Sequence, residues 1–466
     1  MYRAVREAQT RPCPAHLSDF SAMNRKNEIN TVLDVLPAND ENLCVNNLPA
    51  VPDANTAAEV FHLGWLSNAT QPSNRVVRRS RLVQKGGTPL VPFPEHTRLL
   101  AQTTALVRKG YAHRNPLSPD FHATAHAALS AAAQGNDRHG QRWLRPELNV
   151  PGARPRGFLF VTPARMGRRV IAERIASFLG EEPIHLNVAT PTGNVSYVQI
   201  PVLRVLWPEG GSPVQFATNF LGSFDRAYGS DYSAAIRPSR FRLHEELLSI
   251  MSGFSIAANI GLIIVERINA RDAGTQRATA LWNVLGQFTR TTGVPLLMMA
   301  TTGAASHLMR KTSAASELTA GGLLCMDAPS GDSQTYADLC TLAFQAAMNR
   351  REPAPSWLVS ALAKKTHCRL ALPQKVCIEL ARYVGKADMA KAPRNLHALI
   401  DRALYIESPA LESLETIGDG KGFTRDSFTR FSDWLPTKRA SLLVPRPELE
   451  PVSSRASLPS LKGASQ

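Results

Sequence analysis

Hydrophobic residues between positions 91 and 325 fall into two alternating kinds of segment. Short, mostly apolar runs are typical of strands buried on both faces of a parallel sheet. These runs predict the strands Gly157–Val161, Gln199–Leu206, Gly261–Val265 and Val294–Ala300. Longer segments with helical spacing predict the helices Glu95–Gly110, Asp120–Gln134, Val170–Leu179, Gln215–Tyr228, His244–Ala257 and Thr275–Thr291. We therefore predict an α/β core over residues 91–325, a parallel sheet flanked by helices.

The strand pattern stops after the core, and only helical periodicity follows. The predicted helices are Leu339–Met348, Trp357–Lys365, Gln374–Gly385 and Asn395–Tyr405. Four helices in succession without an intervening apolar run indicate a small helical bundle. We place this second domain, a helical lid, at residues 326–425.

Both ends of the chain lack such periodicity. Residues 1–90 are mostly polar, with one short docking segment expected around Ala57–Trp65 and a basic cluster at Arg75–Arg81. Residues 426–466 are rich in proline and serine and carry a net positive charge. Segments of this composition bury too little apolar surface to fold by themselves. We predict a flexible N-terminal arm and a disordered C-terminal tail, both basic.

Composition narrows the class of protein. The 466 residues are 44% hydrophobic and 20% charged, as in ordinary globular proteins. No apolar run approaches the ~20 residues that cross a bilayer, and the N terminus lacks a signal peptide's apolar core. We therefore expect no membrane partner. The six cysteines form no CxxC pair, so we also expect no metal site and a reducing, cytoplasmic environment.

The formal net charge of +15 changes this picture by indicating a polyanionic partner or, equally, a basic solvated surface. One basic stretch, RPSRFR, places an aromatic residue among three arginines, which suits a contact with a nucleic-acid backbone. The candidate DNA-binding residues are Arg237, Arg240 and Arg242. A solvated loop is the alternative explanation of the same residues.

The loop after the first core strand is a candidate phosphate site. A phosphate loop of the form GxxxxGK[ST] uses backbone N–H groups, a lysine and a hydroxyl to hold phosphates and Mg²⁺. The sequence here, TPARMGRR, keeps Gly167, and the other defining positions hold Thr162, Arg168 and Arg169. Its place between a strand and a helix supports the assignment. Three arginines at a helix N terminus, with Arg165 the third, also predict an anion site, although bulkier side chains could fill it.

The run Gly261–Val265 is followed by Glu266. In nucleoside triphosphatases with a phosphate loop, a carboxylate at the end of such a strand polarises the attacking water, and Glu266 is the candidate here. Val265 replaces the aspartate that usually holds Mg²⁺, and Arg169 replaces the usual hydroxyl ligand. Both protein contacts to Mg²⁺ are thereby missing. A plain surface carboxylate at a strand end is the alternative explanation of Glu266.

The order of these parts is similar to that of AAA+ ATPases, and in detail it resembles the TnsC/TniB family of DNA transposition regulators. The resemblance runs from about Pro92 to Tyr405 and rests on the order and spacing of several segments. These segments are Tyr111–Pro116, Val202–Leu206, Tyr228–Tyr232, Gly261–Glu266 and Thr292–Ala304. It implies an AAA+ P-loop-type sheet followed by the helical lid.

The resemblance also implies further site residues and cofactors. Thr301 would orient the attacking water from the end of the fourth strand, and Arg394 would reach the γ-phosphate from the lid. A strand cap and a surface arginine are the structural alternatives. ATP and Mg²⁺ are the implied cofactors, but the departures at Thr162, Arg168 and Arg169, with Val265, predict weak or lost hydrolysis.

The expected function is therefore an adaptor of DNA transposition that assembles as a homo-oligomer on DNA. It would link a target-selector protein to a transposase subunit. Two alternatives stay open. One is an active DNA-stimulated ATPase, in which Arg168 replaces the lysine and Glu266 activates water. The other is a nucleotide-independent scaffold that binds nucleic acid.

Overall fold

A computed structural model describes residues 33–35, 42–62, 90–133, 149–190, 193–236, 244–348, 352–384, 391–419 and 429–437. The basic cluster Arg75–Arg81 and the loop with Arg237, Arg240 and Arg242 lie outside these residues. The strands are β1 Leu33–Val35, β2 Gly157–Val161, β3 Ile184–Thr190, β4 Gly193–Gln199, β5 Val202–Leu206, β6 Leu262–Ile268, β7 Leu296–Ala300 and β8 Gly322–Cys325.

Helices cover most of the remaining described chain. Those up to the end of the core are α1 Leu43–Asn46, α2 Ala54–Phe61, α3 Pro94–Tyr111, α4 Pro119–Ala133, α5 Arg168–Leu179, α6 Pro213–Tyr228, α7 Tyr232–Ile236, α8 His244–Ala257, α9 Ala270–Ala273, α10 Gln276–Thr292, α11 Thr302–Met309 and α12 Thr312–Leu318. Those that follow are α13 Gln334–Met348, α14 Ser356–Thr366, α15 Leu372–Val384, α16 Leu396–Ala403 and α17 Ser408–Asp419. Short 3₁₀ helices lie at Glu209–Gly211 and Ser432–Trp434.

The core is a five-stranded sheet in the order β5-β6-β7-β2-β8, and every neighbouring pair is parallel. This confirms the predicted parallel sheet flanked by helices, an arrangement like that of P-loop α/β folds of the AAA+ type. After β2 the chain crosses to the far edge at β5 and returns through β6 and β7, and β8 lies on the other side of β2. In parallel sheets, ligands bind outside the carboxyl ends of the strands where the strand order reverses. Here that place is the end of β2.

Both faces of the sheet are buried, which explains the apolar runs. Phe158 and Phe160 pack in one cluster with α3 and α5, while Leu159 and Val161 pack in the other with α6, α8 and α10. Strand β8 has no counterpart among the predicted strands. It has only four residues and lies at the sheet edge, where Leu323 is half exposed, so its apolar signal is short.

A second, three-stranded sheet also lies outside the predicted elements. Strands β3 and β4 pair as an antiparallel hairpin in which Leu186 is opposite Tyr197, and β1 adds to β3 in parallel. Strand β1 comes from the region that the sequence assigns to a flexible arm.

The predicted flexible arm at residues 1–90 contains an ordered part. Helices α1 and α2 pack on α3, and the buried Leu43, Cys44 and Phe61 join the core cluster. Nη1 of Arg108 on α3 lies 3.2 to 3.3 Å from three backbone carbonyl oxygens, that of Val45 in α1 and those of Leu48 and Pro49 just after it. The prediction of a flexible arm with one docking segment around Ala57–Trp65 is therefore wrong for residues 42–56, which fold because, together with the residues up to 62, they cover an apolar face of α3.

The helical region after the core contains α13 to α17, which include the four helices that periodicity predicts. Its buried Glu407 links it to the core, since one carboxylate oxygen pairs with Arg165 at 2.8 Å and the other with Lys375 at 2.6 Å. In the part of the chain that the structure describes, no helix has both the length and the apolar character to cross a membrane.

The buried imidazole of His96 at the start of α3 makes stability depend on pH. Its Nδ1 accepts the Phe93 N–H at 3.2 Å, so the neutral ring is required. Burial lowers the pKa of His96 from 6.5 to about 3. The unfolded chain thus binds this proton between about pH 6.5 and 3 while the folded chain does not. Stability from this group is complete above that window and falls within it by about 1.4 kcal/mol per pH unit.

Urea unfolding at neutral pH and at roughly pH 5 measures this effect. We expect His96→Gln to flatten the pH dependence, because glutamine accepts the same N–H without titrating. The exposed His397→Gln serves as the control and should keep the wild-type slope. Equal slopes in both variants would show that His96 does not carry the effect.

Candidate functional site

The loop after β2 lies at the carboxyl edge of the sheet, where the sequence places the phosphate site. Thr162 is buried, and its N–H donates to the Ala300 carbonyl at 3.1 Å. Gly167 caps α5 with a φ of 80°, a left-handed conformation that favours glycine. Arg165 also has a positive φ, 64°. The tight turn into a helix is thus preserved even though most of the motif residues are replaced.

The three arginines of this loop do not converge on one anion site. Arg165 pairs with Glu407, and the exposed Arg169 pairs with Glu173 one turn along α5 at 2.9 Å. Only Arg168 is directed to the sheet edge, where Nη1 lies 3.5 Å from the Ile268 carbonyl oxygen. Burial lowers the pKa of Arg168 to about 10, against the opposing charge of Asp433. The predicted cluster is therefore reduced to one cation.

Glu266 is engaged by an ion pair and is not free at the strand end. Strand β6 has a bulge opposite β7, since Val265 pairs with Met298 but Ile268 pairs with Ala300. Strand β6 continues to Ile268, so Glu266 lies inside the strand and not at its end. Its carboxylate, only 7% exposed, accepts from Nε of Arg204 at 2.7 Å. The same guanidinium lies 3.5 Å from Glu173 and 3.7 Å from Glu181. Arg204 therefore directs Glu266 toward neighbouring strand β5.

Val265 has become part of the core. It is fully buried in the apolar cluster with α6, α8 and α10. At position 169, where the phosphate-loop motif has a hydroxyl that binds Mg²⁺, this chain has an arginine. Glu266 is engaged by Arg204. Val265, Arg169 and the engaged Glu266 do not fit a Mg²⁺ ion at the usual place, because Mg²⁺ requires free oxygen ligands. Among the residues that the structure describes, no group of three or more His, Cys, Asp or Glu side chains could hold a metal ion.

Thr301 lies where the sequence places it, at the end of β7. Its hydroxyl caps α11 by accepting the Ala304 N–H at 3.2 Å. The same hydroxyl donates a short hydrogen bond to the carboxylate of Asp433. Thr301 is 2% exposed, so its other surroundings are protein. Thr301 therefore has the capping role that the sequence offered as the structural alternative, and it also makes a polar contact with Asp433.

Arg394 is not brought to this edge. It is exposed just before α16, and the structure shows no hydrogen bond or ion pair between it and another described residue. A different arginine of the helical region is nearby. Arg369, before α15, is 3% exposed, and its guanidinium donates to the carbonyl of Trp434. Two of its nitrogens, Nε and Nη1, have no described partner. Sequence reasoning missed this residue because no motif marks it.

The largest departure from prediction is the segment 431–437, which we call the strap. The sequence assigns residues 426–466 to a disordered tail, and this is wrong for 429–437, which are ordered on the sheet edge. The Ala164 N–H of the phosphate loop donates to the Asp433 carbonyl at 2.7 Å. The Ala270 N–H, after β6, donates to the Asp433 carboxylate at 2.9 and 3.2 Å.

The strap continues across the ends of the remaining strands. The Thr302 hydroxyl donates to the Leu435 carbonyl at 2.8 Å. Beyond β8, the Asp327 carboxylate accepts the Thr437 N–H at 2.5 Å and its hydroxyl at 2.8 Å. Leu435 is fully buried, and Trp434 packs against the same core cluster. The sequence FSDWL, an apolar group within a polar tail, is the signal that could have identified it.

The surroundings of Asp433 are those of a bound anion. Burial raises the pKa of its carboxyl group above the usual value. Opposing this rise in the pKa are hydrogen bonds from the Thr301 hydroxyl and the Ala270 N–H and the positive charge of Arg168. Desolvation has the larger effect on the pKa, so burying the negative charge is unfavourable, although hydrogen-bond donors surround the carboxylate.

Comparisons with known proteins add little to this description. No model of a protein family matches the chain, and no curated protein matches it either. Among solved structures, a Walker-type ATPase of Pyrococcus abyssi aligns over 66% of this chain and 89% of its own, at 10% sequence identity and a TM-score of 0.38. This similarity is too low to define the fold, which the strand order of the sheet shows instead.

Proposed function

We propose that this chain is an AAA+-type regulator of DNA transposition that assembles on DNA without turning over ATP. The resemblance of residues 92–405 to the TnsC/TniB family supports the biological role, and the sheet order supports the AAA+ architecture. The partners would be target DNA, a target-selector protein, a transposase subunit and further copies of this chain. The net charge of +15 is consistent with a nucleic-acid partner.

The loss of turnover rests on one observation, the ion pair between Glu266 and Arg204 at 2.7 Å. Activation of water in this class of ATPase requires a carboxylate that faces the γ-phosphate and accepts a proton from the water. In the ion pair, Oε1 of Glu266 already accepts from Nε of Arg204, so this oxygen is engaged and the carboxylate is held toward β5. The core position of Val265 also removes the usual aspartate ligand of Mg²⁺. ATP would then be a regulatory ligand near Arg168 and not a substrate.

Phosphate release from Mg-ATP by the full chain, with and without duplex DNA, tests this proposal. We expect the wild-type protein, Glu266→Gln and Glu173→Gln to give the same background rate. Glu173 is the matched control because it is another carboxylate beside Arg204. Turnover stimulated by DNA and lost only in Glu266→Gln would instead establish an active ATPase.

Binding and assembly on DNA test the other part of the proposal. We expect duplex binding whose affinity falls steeply with salt and depends little on sequence, because contacts to phosphates carry no sequence information. Replacing Arg237, Arg240 and Arg242 together with alanine should reduce the slope of log affinity against log salt by about 2 to 3. The same triple change at Arg75, Arg78 and Arg81 is the comparison. Equal losses in both variants would mean that charge alone, and not the 237–242 loop, sets the affinity.

A further inference from the structure

The strap occupies the part of the sheet at which this fold type binds ligands. It crosses the carboxyl ends of β2, β6, β7 and β8, through contacts at Ala164, Ala270, Thr302 and Asp327. The end of β2 is also where the strand order reverses, which is the usual position of a ligand crevice in parallel α/β sheets. A segment from the end of the described chain therefore lies in the crevice itself.

The strap places a carboxylate at the centre of this contact. Asp433 accepts from the Thr301 hydroxyl and the Ala270 N–H, and the positive charge of the Arg168 guanidinium attracts its carboxylate. A cation site would present oxygen lone pairs, whereas every one of these groups is a donor or a positive charge. Asp433 thus fills the role of an anionic ligand and not that of a metal ligand.

The fit between strap and crevice is close. A Cβ atom on Gly303, in the first turn of α11, would lie 2.5 Å from Oγ of Ser432 and 2.9 Å from Oδ1 of Asp433. These distances are shorter than those at which real Cβ atoms approach other atoms, so a side chain at residue 303 would force Ser432 and Asp433 of the strap to shift. The Ala164 N–H of the loop after β2 also donates to the strap, 2.7 Å from the backbone carbonyl oxygen of Asp433.

We propose that the strap is an internal ligand of the phosphate site, and that a polyphosphate anion binds there only by displacing Asp433. The two occupants need the same groups, since phosphate oxygens would bind loop N–H groups and the Arg168 guanidinium. The contacts of the strap are short hydrogen bonds and one buried leucine, without a disulfide or other covalent link, so exchange is possible. The chain would then be closed without ligand and would release its C-terminal segment when the anion binds.

This inference goes beyond the proposed function, because it concerns the phosphate site alone and requires neither DNA nor turnover. Its tests use inorganic tripolyphosphate and the full chain in the absence of DNA. A negative result would therefore leave the transposition proposal standing, and a failure of DNA assembly would not affect it.

The first test is the affinity for tripolyphosphate, measured by titration calorimetry. If the strap is docked in most molecules, removing its carboxylate should raise the apparent affinity by about tenfold or more. We expect Asp433→Ala to bind most tightly, Asp433→Asn less so, and the wild type most weakly. Glu412→Ala, an exposed acid on α17, controls for the change in net charge and should match the wild type. Thermal melting confirms that each variant is folded.

The second test follows the strap directly by hydrogen exchange of peptides covering residues 429–437. Saturating tripolyphosphate should remove the protection of the Thr437 N–H and its neighbours in the wild type. Two results would overturn the proposal. One is an Asp433→Ala protein that binds the anion no more tightly, or more weakly, as a lost Mg²⁺ ligand would predict. The other is a strap that stays protected while the anion is bound.

Discussion

Gly157→Ala is expected to destabilise the protein by roughly 3 kcal/mol or more, because the added methyl group meets backbone that cannot move away. Gly157 opens β2, the strand that leads into the phosphate loop. A Cβ there would lie 2.3 Å from the Cα of Leu318 and 2.5 Å from its carbonyl carbon and oxygen. The Gly157 carbonyl also accepts the Gly321 N–H at 2.7 Å, which fixes the two segments together.

Urea unfolding followed by circular dichroism measures this loss. Gly222→Ala is the matched control, since Gly222 lies in α6 and no atom comes within 4 Å of its added Cβ. Alanine favours helix over glycine, so this variant should gain up to about 1 kcal/mol. If Gly157→Ala stayed within about 0.5 kcal/mol of the wild type, the close packing of β2 against the end of α12 would be contradicted.

Arg204→Met is expected to cost about 2 to 3 kcal/mol, because it leaves the buried Glu266 without its cation. Burial opposes the charge of Arg204, yet its hydrogen bond and attraction to Glu266 raise the pKa of the guanidinium overall. Glu173 and Glu181 face the same guanidinium and would repel one another and Glu266 once it is gone. The estimate lies below the range for fully buried pairs because Arg204 is 27% exposed.

A second substitution distinguishes a lost ion pair from lost packing. The double variant Arg204→Met with Glu266→Leu should recover most of the stability, since no buried charge then lacks a partner. Arg290→Met is the control, because Arg290 pairs with Glu317 but is 56% exposed, and it should cost less than about 1 kcal/mol. A double variant no more stable than Arg204→Met would show that the guanidinium acts through its packing.

The strength of the sequence signal follows burial. Strands β2, β6 and β7 are buried on both faces, so their apolar runs are continuous and their positions were predicted within a few residues. Strand β8 has four residues and lies at an edge, and the β3–β4 hairpin is partly exposed, so neither stands out. Helix α2 at Ala54–Phe61 shows the same limit, because one amphipathic helix within a polar arm gives a weak signal, and the sequence indicated only a docking segment around Ala57–Trp65.

By itself, the sequence determined the type of fold and the place of a tight loop between a strand and a helix, because both depend on local patterns: apolar runs, helical spacing and Gly167 after the first core strand. Only the tertiary structure decided which groups meet there. Glu266 meets Arg204 across 62 positions, and Thr301 meets Asp433 across 132. Contacts over such separations depend on how the elements pack and on which surfaces remain uncovered. Local periodicity does not encode that packing, so the sequence FSDWL marks an apolar group in the tail, and only the fold shows which surface it covers.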